Sequence, residues 1–177
     1  MNPSGARPVL AGFGSLVFFL VAPGFVAGLV PFWISRWRFL PPWLGFAASR
    51  VAGALLAVAG LLVLLESFWR FAVKGLGTPA PIAPTRRLVV SGLYRHVRNP
   101  MYLAVTAIIV GQALLFGNVR LLAYGALVWC LFHAFVLLYE EPTLTAAYPA
   151  EYADYRANVS RWIPRRLPWR VNAETPR

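Results

Sequence analysis

Between Arg7 and Arg36 the chain carries no charged residue, an interval longer than the roughly 20 residues a helix needs to cross a bilayer. It predicts a first span over about residues 8–35, bent near Pro23-Gly24. A second apolar stretch runs over about residues 44–72. Its centre from Val51 to Leu65 is uncharged, and Arg50 and Glu66 stand near its ends, where long side chains reach the interface. Met101 to Val119 and Leu121 to Tyr139 are two more uncharged stretches, broken by little more than Gly117-Asn118-Val119-Arg120. A break this short forces antiparallel neighbours, so residues 100–139 are expected to form a tight helical hairpin. The expected fold class is an all-α integral membrane protein with about four transmembrane helices, a C-terminal helical hairpin and a short cytoplasmic helical tail. Residues 1–72 form its N-terminal transmembrane part and residues 73–177 its core, with a polar loop over 73–99 and a polar tail over 140–177.

Composition agrees with this. Of 177 residues, 59% are hydrophobic and 13% charged, against about 25% charged in soluble domains. The formal net charge is +11, and every basic residue except Lys74 is arginine. These residues flank apolar runs and form no separate basic domain, which favours lipid headgroups over nucleic acid as the partner. The bias towards arginine suits a GC-rich coding sequence and a bacterial inner membrane. Cys130 is the single cysteine and lies inside an apolar run, so neither a disulfide framework nor a cysteine zinc site is expected, and no metal site is predicted. The first apolar run is too long for a signal peptide and lacks a convincing cleavage site, so it reads as a retained span. With four spans, the N-terminus, the loop and the tail share one side. Arg7, Lys74, Arg86, Arg87, Arg95, Arg98 and the tail arginines outnumber Arg36, Arg38, Arg50 and Arg120 opposite. The positive-inside rule places that side, with both termini, in the cytoplasm.

Two polar segments can carry chemistry. The first ends Tyr94-Arg95-His96-Val97-Arg98-Asn99-Pro100-Met101-Tyr102. Asn99 suits an N-cap and Pro100 a first helical residue, so a helix N-terminus is expected at the interface. Its partial positive charge and the Arg98 guanidinium form a seat for a carboxylate or phosphate; a lipid headgroup held by Arg95 and Arg98 is the plainer reading. The second segment is Tyr139-Glu140-Glu141-Pro142-Thr143-Leu144. Adjacent carboxylates at a helix C-terminus oppose the macrodipole at about 0.3–1 kcal/mol each. Ligand hydroxyls or amines, a pairing with Arg98, or capping of a short helix from Pro142 by Glu141 would each retain them. His133 lies seven residues before Glu140, within about 20° of it on an ideal helix, and is a functional candidate at membrane depth. The plainer reading is a neutral imidazole bonded to a neighbouring helix. Glu66 and Arg70, spaced i, i+4, are expected to pair locally, and Gln112 to bridge helices.

In order and spacing these residues resemble the isoprenylcysteine carboxyl methyltransferases, with their bacterial members, and more distantly the phosphatidylethanolamine methyltransferases. The resemblance covers about residues 75–164. It rests on Gly75-Leu76-Gly77-Thr78-Pro79-Ala80-Pro81, Gly92-Leu93-Tyr94, Arg98-Asn99-Pro100-x-Tyr102 and Glu140-Glu141-x-x-Leu144. The tail continues it as Tyr148-x-x-Glu151-Tyr152-x-x-Tyr155-x-x-x-Val159-x-x-Trp162-Ile163-Pro164. The resemblance implies a methyltransferase core over residues 73–177, with S-adenosylmethionine bound between hairpin and tail. Arg98, Asn99 and Glu141 are then the candidate catalytic residues, and Tyr94, Arg98, Pro100, Tyr102, His133, Glu140 and Glu141 the cofactor-binding set. Arg98 would take the cofactor carboxylate, Glu140 and Glu141 its ribose or amine. Asn99 stands where eukaryotic members carry His; an amide donates hydrogen bonds but does not titrate. Pro149 occupies a position that is often Gly.

Methyl transfer from a sulfonium asks mainly for alignment, which supplies about 7–11 kcal/mol in well-oriented systems. The implied acceptor is a lipophilic or small membrane-accessible carboxylate, thiol or amine. Tyr94, Tyr102, Trp129 and Tyr139 offer faces for a cationic nucleophile, although aromatics at membrane interfaces also serve as anchors. Two other readings stay open. Sterol-type membrane reductases share a similar architecture but use a nicotinamide cofactor, and a non-catalytic scaffold would leave His133 and the glutamates without a purpose.

Overall fold

The computed structural model describes residues 21–74, 88 and 90–170, with side chains from 71 to 74 excepted. The start of the first predicted span, Arg7, Arg86, Arg87 and the Gly75–Pro81 motif lie outside the described residues. Within them every regular element is helical. We name α1 (Val21–Ser35), α2 (Ala48–Lys74), α3 (Pro100–Phe116), α4 (Val119–Ala147) and α5 (Pro149–Asn158). Helices α2 and α4 are long and apolar enough to cross a membrane, and only 28% and 22% of their most apolar windows are buried inside the protein. Side chains such as Leu55, Leu62, Trp69, Leu131 and Leu138 therefore face outwards, the placement that lipid solvates. Helix α3 has 17 residues, about 25 Å at 1.5 Å per residue, and is shorter than its predicted apolar stretch.

The α3–α4 hairpin forms as expected. Gly117 ends α3 in the left-handed conformation at φ +68°, where a side chain would strain the backbone. Asn118 then caps α4, its side chain accepting from the Arg120 N–H at 2.9 Å. Helices α2 and α3 pack so closely that a Cβ added to Gly111 would lie 2.6 Å from the Ala57 nitrogen and 2.7 Å from the Gly53 carbonyl oxygen. Leu64, Phe68, Ala104, Val105, Ile109 and Val128, joined by Ala27 of α1, form the central core.

Two helices carry a π-helical stretch, and both bear on the site. In α1 it spans Phe25–Leu29. There the Gln112 amide donates to the Ala27 carbonyl (2.7 Å) and the Tyr124 hydroxyl to the Val26 carbonyl (2.9 Å), side-chain insertions of the kind that open a helical ladder. Gln112 thus bridges helices. In α4 the stretch spans Val136–Glu140 and precedes Pro142, whose ring would clash with the carbonyl four residues back in a regular α-helix. The wider turn accommodates the proline, so α4 continues to Ala147 instead of ending at Tyr139. Glu140 and Glu141 consequently lie within a continuous helix. They oppose no C-terminal dipole, and no Glu141 cap starts a new helix at Pro142. Helix α5 then begins at Pro149, the position where proline's fixed φ and missing N–H cost nothing.

Candidate functional site

The loop before α3 makes a short 3-10 turn at Gly92–Arg95. Gly92 holds φ +56°, and an added Cβ would meet the Arg70 guanidinium at 2.1 Å, so the loop seats directly on α2. Arg70 is itself fixed by hydrogen bonding to Glu66, the i, i+4 pair expected from the sequence. From the other side the tail closes on the same loop. Tyr152 and Tyr155 of α5 and Val159 just beyond it form a small core with Leu88, Val90, Leu144, Tyr148 and Trp169. The Tyr155 hydroxyl donates to the Tyr94 carbonyl at 2.6 Å. Beyond α5 the chain runs as a strap, its backbone bonded to the loop at Arg98 N–H to Ser160 O (3.0 Å), Arg165 N–H to His96 O (2.9 Å) and Trp169 N–H to Arg95 O (2.9 Å).

Loop, hairpin and α1 enclose a cavity of about 480 Å³, within the roughly 300–1,000 Å³ of small-molecule sites. Tyr94, Arg98, Asn99, Tyr102 and Glu140 give it a polar end. Ala22, Pro23 and Val26 of α1, Leu64 of α2, Met101 and Val105 of α3, and Leu131, Phe132 and Phe135 of α4 make the remainder apolar. The Tyr102 hydroxyl donates to Glu140 Oε2 at 2.8 Å, and the Tyr102 ring leans on Phe132 with centroids 4.7 Å apart. Burial, and then the nearby charge of Glu140, hold the Tyr94 phenol well above its ordinary range, so Tyr94 stands as a neutral hydroxyl.

The two glutamates serve different partners. Glu140 faces the cavity, whereas Glu141 turns towards the tail and is not among the cavity residues. Arg161 grips Glu141 with both ends, Nε to Oε1 at 2.6 Å and Nη2 to Oε2 at 2.9 Å, and Arg98 Nη1 also donates to Oε1 at 2.9 Å. Arg98 Nη1 donates further to the Tyr152 hydroxyl (3.0 Å), while its buried Nε–H has no partner among the described residues. Hydrogen bonding to Glu141 holds the Arg161 guanidinium firmly protonated. Arg98 and Glu141, 43 positions apart in sequence, are thus in direct contact.

The other predicted site residues divide. Asn99 is the residue before α3, but its side chain caps no helix N–H; the amide donates to the Arg161 carbonyl at 3.3 Å. Pro100 is buried and lines a second, apolar cavity of about 360 Å³ between α2 and α3. His133 does not line the main cavity. Its Nδ1 accepts from the Trp162 indole at 3.0 Å, and Trp162 also packs on Trp129 with ring centroids 4.5 Å apart. The expected alignment of His133 with Glu140 assumed regular α-helical rotation, and the intervening i→i+5 turn changes it. The sequence reading missed Arg161 as the partner of Glu141, Tyr152 as a partner of Arg98, and α1 as a cavity wall. Tyr152 stands in the tail pattern, but nothing local marked Arg161.

Comparison with curated proteins and comparison with solved structures both gave no match. The phospholipid methyltransferase family model matches residues 48–151, from the start of α2 to the first turn of α5. That interval holds more than half of the chain and, with it, Tyr94, Arg98, Asn99, Tyr102 and both glutamates. The chain therefore belongs to the phospholipid methyltransferase family and is a membrane methyltransferase.

Proposed function

We propose that the chain uses S-adenosylmethionine to methylate a lipophilic or small membrane-accessible acceptor, a carboxylate, thiol or amine, in the cavity between loop, hairpin and α1. The observation that carries this reading is the convergence of Arg98 and Glu140, with Tyr94, Asn99 and Tyr102, at one end of a cavity that is apolar elsewhere. The residues suit the group: a guanidinium N–H for a carboxylate, a carboxylate for an amine or ribose hydroxyl, and the Tyr94 and Tyr102 rings for a cationic centre. When bound, S-adenosylmethionine supplies a methyl on a sulfonium for in-line displacement by the acceptor nucleophile.

The protein's part is to bind, align and exclude water. Arg98, kept in place by Glu141 and Tyr152, offers a charge-assisted donor at the polar end. Glu140, held by Tyr102, presents a carboxyl group on the wall. Asn99, tied to the Arg161 carbonyl, fixes the loop between them. Leu131 and Phe135 are exposed as well as cavity-lining, which suits sideways access of an apolar acceptor from the bilayer between α1 and α4. In this reading α1 and α3, the shorter apolar helices, cross the membrane beside α2 and α4. About 20 residues span the hydrocarbon, so α4, starting at Val119, reaches the far interface near Tyr139, and its last turns carry the glutamates into the cytoplasm. Site and tail are cytoplasmic, in a bacterial inner membrane.

Family membership favours this reading over a nicotinamide reductase or a scaffold. In a thermal-unfolding assay on the purified chain, S-adenosylhomocysteine is expected to raise Tm and NADPH to leave it unchanged. Labelled methyl from S-adenosylmethionine is expected to appear in an extractable product when total membrane lipid is supplied. Stabilisation by NADPH alone, or by neither compound, refutes the proposal.

A further inference from the structure

We infer that Arg161, in the strap beyond the family-matched interval, is a positioning residue: it occupies Glu141 so that the Arg98 guanidinium stays available to an anionic group in the cavity. This rests on the cofactor reading above and goes beyond it, because Arg161 is not among the residues that line the cavity.

The geometry fixes the division of labour. A carboxylate opposite an arginine prefers the two-pronged arrangement, with two parallel N–H donors on its two oxygens. Glu141 has that arrangement with Arg161, at 2.6 and 2.9 Å, and shares only one oxygen with a single nitrogen of Arg98. Arg98 Nε is consequently left buried without a partner. The same strap also fixes the Arg98 backbone through Ser160 and the Asn99 amide through the Arg161 carbonyl. Two guanidiniums against one carboxylate leave the trio one positive charge in excess (two cations minus one anion). Without Arg161, Glu141 is free to take Arg98 in the two-pronged arrangement. That would satisfy the orphan Nε–H, cancel the excess charge and withdraw Arg98 from the cavity.

This makes a sign-reversing prediction that a merely structural role does not. Arg161→Gln removes the excess charge. Adding Glu141→Gln to it removes the competing carboxylate and restores the count. The test is calorimetry on purified protein in detergent with two probes, S-adenosylhomocysteine and 5′-methylthioadenosine, which shares the nucleoside and sulfur but lacks the carboxylate. Arg161→Gln is expected to weaken S-adenosylhomocysteine binding by about ten- to hundredfold, the range of a hydrogen bond to a charged group. Binding of 5′-methylthioadenosine should change less than about twofold, which also reports that the variant is folded. The Arg161→Gln, Glu141→Gln double variant is expected to bind S-adenosylhomocysteine more tightly than Arg161→Gln alone, and Arg161→Lys to fall between wild type and Arg161→Gln. Equal loss for both probes, no loss, or a double variant no better than the single one overturns the inference while leaving the cofactor reading intact. Failure of the unaltered protein to bind either probe overturns both.

Discussion

Glu141→Gln tests how dry the charged trio is. Glu141 accepts three hydrogen bonds from Arg98 and Arg161, and the substitution removes the only negative charge between two guanidiniums. Taking one partner from a buried ion pair costs about 3–5 kcal/mol, because the other charge is left uncompensated. Side-chain exposure discounts this unequally. Arg161 is 29% exposed and can turn to water, whereas Arg98 is 9% exposed and cannot. The lower end, about 3 kcal/mol, is therefore the expected loss. For a chain of this length 1 kcal/mol moves Tm by about 2–4 °C, so the variant should melt about 6–12 °C below the wild type. The assay is thermal unfolding followed by size-exclusion chromatography in detergent. Glu151→Gln, an exposed carboxylate in the first turn of α5, is the control, with an expected loss of only about 0.3–1 kcal/mol from the helix dipole. If the two variants melt alike, the trio is solvated as a surface pair would be, and the argument that it clamps the tail to α4 fails.

Three further outcomes follow from the packing. Gly111→Val would drive a side chain into the backbone of Ala57 and Gly53, an overpacking of about 3 kcal/mol or more; the monodisperse peak should be lost, while Gly28→Ala, with nothing within 4 Å, should leave it unchanged. Tyr102→Phe deprives Glu140 of its hydroxyl donor, worth about 1.5–3 kcal/mol to a charged acceptor. Affinity for S-adenosylhomocysteine should fall about tenfold or more by calorimetry, and unchanged affinity would show that Glu140 does not face the ligand. Trp162→Phe keeps a ring against Trp129 but deletes the donor to His133. A loss of about 1 kcal/mol in holding the strap should speed tryptic cleavage after Arg165 or Arg166 several-fold in a limited-digestion time course.

Local physics was legible in the sequence. Uncharged stretches of spanning length marked the helices, and the Gly117-Asn118 break marked the hairpin, because a left-handed cap and an N-cap are properties of adjacent residues. The Asn99-Pro100 helix start, the Glu66–Arg70 pair and the bridging role of Gln112 were readable for the same reason: each depends on spacing within a turn or on the cost of leaving a polar group unbonded in an apolar setting. The pairing of Arg98 with Glu141 was one of three readings that the residues left open. What each glutamate faces was not legible. A single π-helical turn before Pro142 changes the rotation of everything after it, and no periodicity assigns Glu140 to the cavity and Glu141 to the tail. Arg161 and Tyr152 reach their partners across 20 and 54 positions, and α1 becomes a cavity wall only by packing beside the hairpin. Such contacts are settled by which surfaces the folded chain brings together. The sequence therefore determined the helices and the charged residues that the fold can bring together, and the tertiary structure alone decided which of those charges confront one another and which line the cavity.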